Sequence, residues 1–154
     1  GDGVDSTRTM TRVVGFDPGR SKCGLVLVTT DSAQVLDSDV LVPEAVLTTL
    51  NTWSQRGDLE MIVMGDGTGS KTWIEPLQEF TTLVQVNERG TTLKARQRYW
   101  QLWPPTGLTR LVPEGLRVPP VPLDAVAALV MVEAYLNLTC SWQVNAPVRS
   151  VRER

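Results

Sequence analysis

An α/β fold, built as a five-stranded mixed sheet with helices on both faces, is what the sequence predicts, and three observations predict it. The first 42 residues hold three β-type segments separated by turns short enough for antiparallel pairing. Beyond Pro43, segments with helical apolar spacing alternate with short β-type segments. One of these, E-M-I-V-M-G at 60–65, is apolar almost throughout, like strands buried on both faces of a parallel sheet.

Thr11 to Asp17 is apolar and rich in β-formers, and Pro18-Gly19 breaks it. Cys23 to Thr30 reads as the second strand. The Asp31-Ser32 turn leads to the third, Ala33 to Val42, completing an antiparallel meander. Pro43 suits the first turn of a helix. Val46, Leu50 and Trp53 then give that helix one apolar face, and Gly57 ends it. Strand four, Glu60 to Gly65, runs into a glycine-rich loop, Asp66 to Lys71. Ser70 is placed to cap a short helix over 71–80 containing Trp73, Ile74 and Leu77. Thr82 to Val86 is strand five, and Thr91 or Thr92 opens a helix running to about Trp103. Residues 104–122 hold six of the ten prolines and read as an extended flap. Asp124 to about Cys140 is the last helix, apolar almost all round and therefore deeply packed.

At 154 residues the expectation is one domain, 11–142, between a flexible leader at 1–10 and a basic tail at 143–154. Met10 is a candidate native start. No apolar run approaches the roughly 18 residues that cross a bilayer, so no membrane partner is expected. The leader lacks the apolar core of a secretory signal. Cys23 and Cys140 show no metal-type spacing and read as reduced, buried thiols of a cytoplasmic protein. The chain contains no histidine, which excludes histidine-based triads and histidine-ligated zinc. Any hydrolysis must rest on carboxylates, hydroxyls, lysine or a metal held by oxygen.

Formal net charge is −2, which alone argues against a uniformly basic nucleic-acid groove. The distribution is uneven. Residues 1–66 carry five basic and ten acidic side chains, a net of −5, whereas 67–154 carry ten basic and seven acidic, a net of +3. Arg89, Lys94, Arg96 and Arg98 cluster, and Arg149, Arg152 and Arg154 make the tail basic. An acidic site beside a basic patch suits a metal-bound phosphate; a solvated helix face and an ordinary tail are the plainer reading.

Four acids fall at element ends. Asp17 closes strand one, Asp66 follows strand four, Glu88 follows strand five and Asp124 starts the last helix. With strand one central and strands four and five beside it, these ends share one edge, where open α/β sheets bind ligands. Converging carboxylates repel unless a cation holds them, and Mg2+ or Mn2+ takes such oxygen ligands. Each acid has a structural alternative. Asp17 is compatible with a turn acid, Asp124 with a helix N-cap, Asp66 with ordinary loop composition, and Glu88 with an ion pair to Arg89.

The element order is the ribonuclease-H-like arrangement. Three stretches, V-V-G-F-D-P-G-R-S-K-C-G-L-V-L-V at 13–28, V-N-E-R-G-T-T-L-K-A-R at 86–96 and P-L-D-A-V-A-A at 122–128, together resemble the YqgF/RuvX family. Its members are RuvC-like nucleases, described as Holliday-junction resolvases and as pre-16S ribosomal RNA processing nucleases. The resemblance covers most of 11–140 and puts Asp17, Glu88 and Asp124 at the family's three metal-binding acid positions. It implies a phosphodiester hydrolase using two Mg2+ or Mn2+ ions bridged by Asp17, with Asp66 as a candidate fourth ligand. Arg20, Lys22, Arg89, Lys94, Arg96 and Arg98 would hold the phosphates of branched DNA or structured RNA. Tyr99, Trp100 and Trp103 suit base stacking, core packing or a homodimer contact. Asn87 stands where the family usually has Asp, Gly65-Asp66-Gly67 replaces a Gly-x-Pro turn, and the proline-rich segment is long.

Three rivals remain at this level. Asp17, Gly19 and Gly24 also fit the phosphate-cradling turn of actin-like ATPases, which need two such domains. A nucleic-acid-binding module that keeps the fold without turnover is the second, and a dimeric scaffold using the aromatic patch and tail is the third.

Overall fold

The structure, a computed structural model, describes residues 11–67 and 69–142. The leader and the basic tail with Arg149, Arg152 and Arg154 lie outside the described residues.

The five strands are β1 (Arg12–Asp17), β2 (Cys23–Thr29), β3 (Gln34–Leu41), β4 (Leu59–Gly65) and β5 (Thr82–Val86). They form one sheet in the order β3-β2-β1-β4-β5. β1, β2 and β3 pair antiparallel, while β4 and β5 run parallel to β1. The mixed sheet expected from the sequence is therefore the observed one. Alternation along the strands divides the apolar side chains between two cores. On one face Val14, Phe16, Leu25, Leu27, Ile62 and Met64 pack against helix α1 (Val46–Arg56) through Leu50 and Trp53. On the other, Val13, Val26, Val28 and Val63 meet the buried face of α3 (Thr91–Leu102) and nearly all of α4 (Asp124–Leu136). Burial on both faces explains why β2 reads as a near-continuous apolar run, CGLVLVT, rather than alternating: all seven of its residues are buried.

Several boundaries differ from expectation for local reasons. Pro43 opens a 3-10 turn, Pro43–Ala45, before α1 begins. The helix expected over 71–80 is a 3-10 turn, Ser70–Trp73, followed by a single short turn, α2 (Ile74–Gln78). Pro76 sits inside that turn and donates no N–H, and the buried Ser70 makes no cap hydrogen bond. The last helix stops at Leu136, four residues short, because Asn137 takes a left-handed conformation (φ 56°) and ends it. The chain then returns to the start of β3, where the Val35 N–H donates to the Ser141 carbonyl at 2.8 Å. The proline-rich flap contains two 3-10 turns, Gly107–Leu111 and Glu114–Leu116.

Candidate active site

β1, β4 and β5 are parallel, so their C-terminal ends lie at one edge of the sheet. Asp17 is the last residue of β1, and Pro18 stops the strand there. Its ladder partner is Gly24 of β2. A Cβ on Gly24 would overlap the backbone carbonyl of Asp124, so only glycine lets the first turn of α4 press onto the sheet at this point. The β1–β2 register and this contact together bring Asp124 beside Asp17. Asp124 is the first residue of α4, behind an N-cap at Leu123 that makes no side-chain cap bond. It therefore stands one position past the cap and does not occupy the cap position itself.

Glu88 reaches the same edge from the loop after β5. Gly65 and Gly67 leave its carboxylate room at the end of β4, for a Cβ at either would collide with it. Glu88 Oε1 is buried without a hydrogen-bond partner. A buried carboxylate oxygen left unpaired is costly unless a cation or donor completes it.

Electrostatics tie the three acids together. Burial, then the charges of Glu88 and Asp124, push the Asp17 carboxyl up to about 7. The Cys23 thiol behind Asp17 is also raised, chiefly by burial and further by Asp17, Asp124 and Glu44, while its contact with Gly19 opposes the shift. Both cysteines are free and buried. An open cleft of about 520 Å3 lies alongside, lined by Gly19, Arg20, Thr72, Trp73 and Glu88 among others. Trp73 is held there by edge-on packing against Phe16, with ring centroids 4.9 Å apart.

Two candidates make contacts of their own, and one, Arg98, is corrected by them. Asp66, expected as a fourth ligand, is exposed and its Oδ1 accepts the Glu88 backbone N–H at 3.3 Å. It braces the Glu88 loop through Oδ1. Arg98, expected on phosphate, donates twice to Glu133, at 2.9 and 2.7 Å, and once to the Cys140 carbonyl at 2.8 Å. Its side chain is only 14% exposed. Of the other cations, Arg20 lines the cleft and Lys22 is exposed in the same turn. Arg89 and Lys94 line a neighbouring cavity of about 180 Å3 with Asn87 and Tyr135. Asn87 Oδ1 accepts the Arg89 backbone N–H at 2.7 Å, so Asn87 shapes the turn. Arg96 is half-buried on α3.

The donor set suits a hard divalent cation in kind: three carboxylates, one with an orphaned buried oxygen and one protonated more readily than usual. Among the described residues no three acidic or cysteine side chains stand close enough to share one ion as placed. The glycine cradle under Glu88 was the signal hardest to read beforehand, since Gly65 and Gly67 sit in ordinary loop composition.

No family model matches the chain, and no curated protein matches it in sequence. Solved structures do. The chain is similar to T. thermophilus RuvC in complex with a Holliday junction substrate, with a TM-score of 0.50 and 14% identity over 82% of this chain and 95% of that one. It is also similar to the large terminase nuclease of thermophilic phage G20c, with a TM-score of 0.52 and 12% identity over 80% and 81%. At such identities the likeness is one of fold, and the five-stranded sheet with its flanking helices is the ribonuclease-H-like fold.

Proposed function

We propose that the chain is a divalent-metal-dependent nuclease of structured nucleic acid, of the YqgF/RuvX kind, acting on four-way DNA junctions or ribosomal RNA precursors. One observation carries the reading: burial and two neighbouring carboxylates raise Asp17 to about 7 at the edge where three strand ends meet. The likeness of fold to a junction-bound RuvC and to a terminase nuclease supports it. Asp17, Glu88 and Asp124 would hold Mg2+ or Mn2+. Such ions, when bound, activate water and stabilise charge on a departing oxygen. Arg20 and Lys22 meet the phosphate beside the cleft, and Arg89, Lys94 and Arg96 hold the flanking backbone. Trp73, braced by the buried Phe16, gives the cleft one apolar wall.

The test is cleavage of labelled four-way junction, single-stranded DNA and structured RNA with Mg2+ or Mn2+, alongside a Mn2+ titration of thermal stability. Metal-dependent cleavage with a rising melting temperature supports the proposal; no cleavage and no shift sink it. A second reading, a nucleic-acid-binding module without turnover, is favoured by the spacing of the acids, which do not close on one ion as placed. It predicts binding with neither cleavage nor a Mn2+ shift.

Gly67→Ala separates the glycine cradle from the loop around it. The added methyl overlaps the Glu88 carboxylate and drives it off the edge. Cleavage is expected to fall at least tenfold and the Mn2+ shift to shrink, with little change in stability because the displaced atoms end a flexible side chain. An unchanged rate would show that Glu88 does not work from that position.

A further inference from the structure

The acid edge is not the only place where nucleic-acid chemistry converges. Helix α3 starts three residues after Glu88 and ends, roughly 18 Å further along its axis, at a second groove. That groove, of about 250 Å3, is walled by Tyr99, Trp100 and Trp103 on one side and by the flap residues Pro105, Val118 and Pro120 on the other. The size suits one ring system, being below the roughly 300 Å3 at which drug-sized sites begin. Its walls are π-faces and flat pyrrolidine rings. Tyr99 packs edge-on against Trp100 at 4.9 Å and tilted against Trp103 at 5.2 Å, so the rings brace one another. Arg117 of the flap lies over the Trp100 ring, 6.0 Å from its centroid, and is pinned by donating to the Val112 carbonyl at 2.9 Å. The Trp100 Nε1 donor is buried with no partner.

Charge decides what such a groove takes. Residues 91–122 carry Lys94, Arg96, Arg98, Arg110 and Arg117 against one acid, Glu114, in a chain of net charge −2. Arg98 is spent on Glu133 and Arg117 lies over Trp100, which leaves Lys94, Arg96 and Arg110 along α3 and the flap. A proline-binding groove has no need of this excess, whereas a polyanion with π-faces does. Resting on the reading of the chain as a nucleic-acid enzyme, we propose that this groove captures an unpaired base of single-stranded nucleic acid, stacked on Trp100. The cations of α3 and the flap hold its phosphates. The enzyme then selects substrates with an unpaired strand close to the cleaved bond over continuous duplex.

The test is binding in EDTA, which removes cleavage from the measurement. A short fluorescent oligothymidylate and a duplex of equal length are titrated into the wild-type protein, Trp100→Ala and Trp100→Phe. Stacking of one base is worth roughly 1–3 kcal/mol, so Trp100→Ala should weaken the single strand roughly tenfold or more and leave the duplex unchanged. Trp100→Phe, which keeps a π-face, should recover most of the affinity. Should Trp100→Ala fail to fold, quenching of wild-type tryptophan fluorescence by the single strand but not the duplex, diminished in Trp100→Phe, carries the same information. Equal losses on both substrates, no loss on either, no selective quenching, or saturation of the groove by a polyproline peptide without effect on oligonucleotide binding would overturn the proposal. Failure of cleavage in the nuclease assay leaves this result standing, and a failure here leaves the metal-dependent cleavage standing.

Discussion

Asp17→Asn is expected to abolish metal-dependent cleavage and, in the same variant, to make the metal-free protein more stable at pH 8. The two effects have one cause. The Asp17 carboxyl is held near 7 in the folded protein against an ordinary value of 3.8, because burial and the charges of Glu88 and Asp124 disfavour its ionised form. The folded state therefore binds this proton more tightly than the unfolded state does. Raising the pH removes a proton that stabilised folding, so the contribution is fully favourable below about 4, declines from there, and is lost once pH passes about 7. The difference is on the order of 4 kcal/mol at pH 8. Asparagine keeps the shape and removes the charge. In EDTA, the urea midpoint of the wild type should fall between pH 5 and pH 8 more than that of Asp17→Asn. Adding Mn2+ should reverse the ranking, because a cation rewards the carboxylate and finds less to bind in the variant. If the two proteins show the same pH dependence, Asp17 does not carry the strained charge assigned to it.

Arg98→Ala should be the most destabilising single change on α3, at about 3–5 kcal/mol, and should act on folding instead of on substrate. Arg98 and Glu133 face each other between α3 and α4 with side chains 14% and 11% exposed. Glu133 Oε2 also accepts the Cys140 backbone N–H at 2.8 Å, and Arg98 donates to the Cys140 carbonyl. The pair thereby ties the segment after α4 to α3, next to the packing of Trp142 on Trp103. Removing the guanidinium leaves a buried carboxylate with one neutral donor. The double change Arg98→Met, Glu133→Leu should recover much of the loss, since neither charge then remains unpaired. Arg96→Ala is the control: stability within about 0.5 kcal/mol of wild type, with weaker nucleic-acid binding and a shallower salt dependence. A neutral Arg98→Ala would return that residue to the phosphate-binding surface.

The contrast between Arg96 and Arg98 shows what was legible in the sequence and what was not. Strand and helix identities were legible because burial imposes spacing: β2 is apolar throughout, and Val46, Leu50 and Trp53 repeat at a helical period. That Asp17 and Glu88 come to one edge was legible because the ends of parallel strands share it, whereas Asp124 arrives there through the contact of α4 with Gly24. Arg98 was misread by its neighbourhood in the sequence. At 100° per residue it falls seven residues from Thr91 and three from Ala95, both buried, and so on the inner face of α3. The period held the answer and the charge cluster obscured it. Asp66 gave no such signal, since whether a loop acid turns toward a metal or toward the next loop's N–H is a matter of rotamer and not of pattern. The end of α4 was readable at Asn137, a residue tolerant of left-handed backbone, but the apolar character of the residues around it suggested continuation.

The meeting of Gly24 with the Asp124 carbonyl has a consequence for divergence. Because main chain rests on main chain there, the separation of these two acids is inherited from a hydrogen-bond ladder and a helix axis, not negotiated by neighbouring side chains. Lineages descended from this chain can redecorate its outer helices freely and keep the same catalytic gauge, yet a single methyl group on that one glycine would alter it.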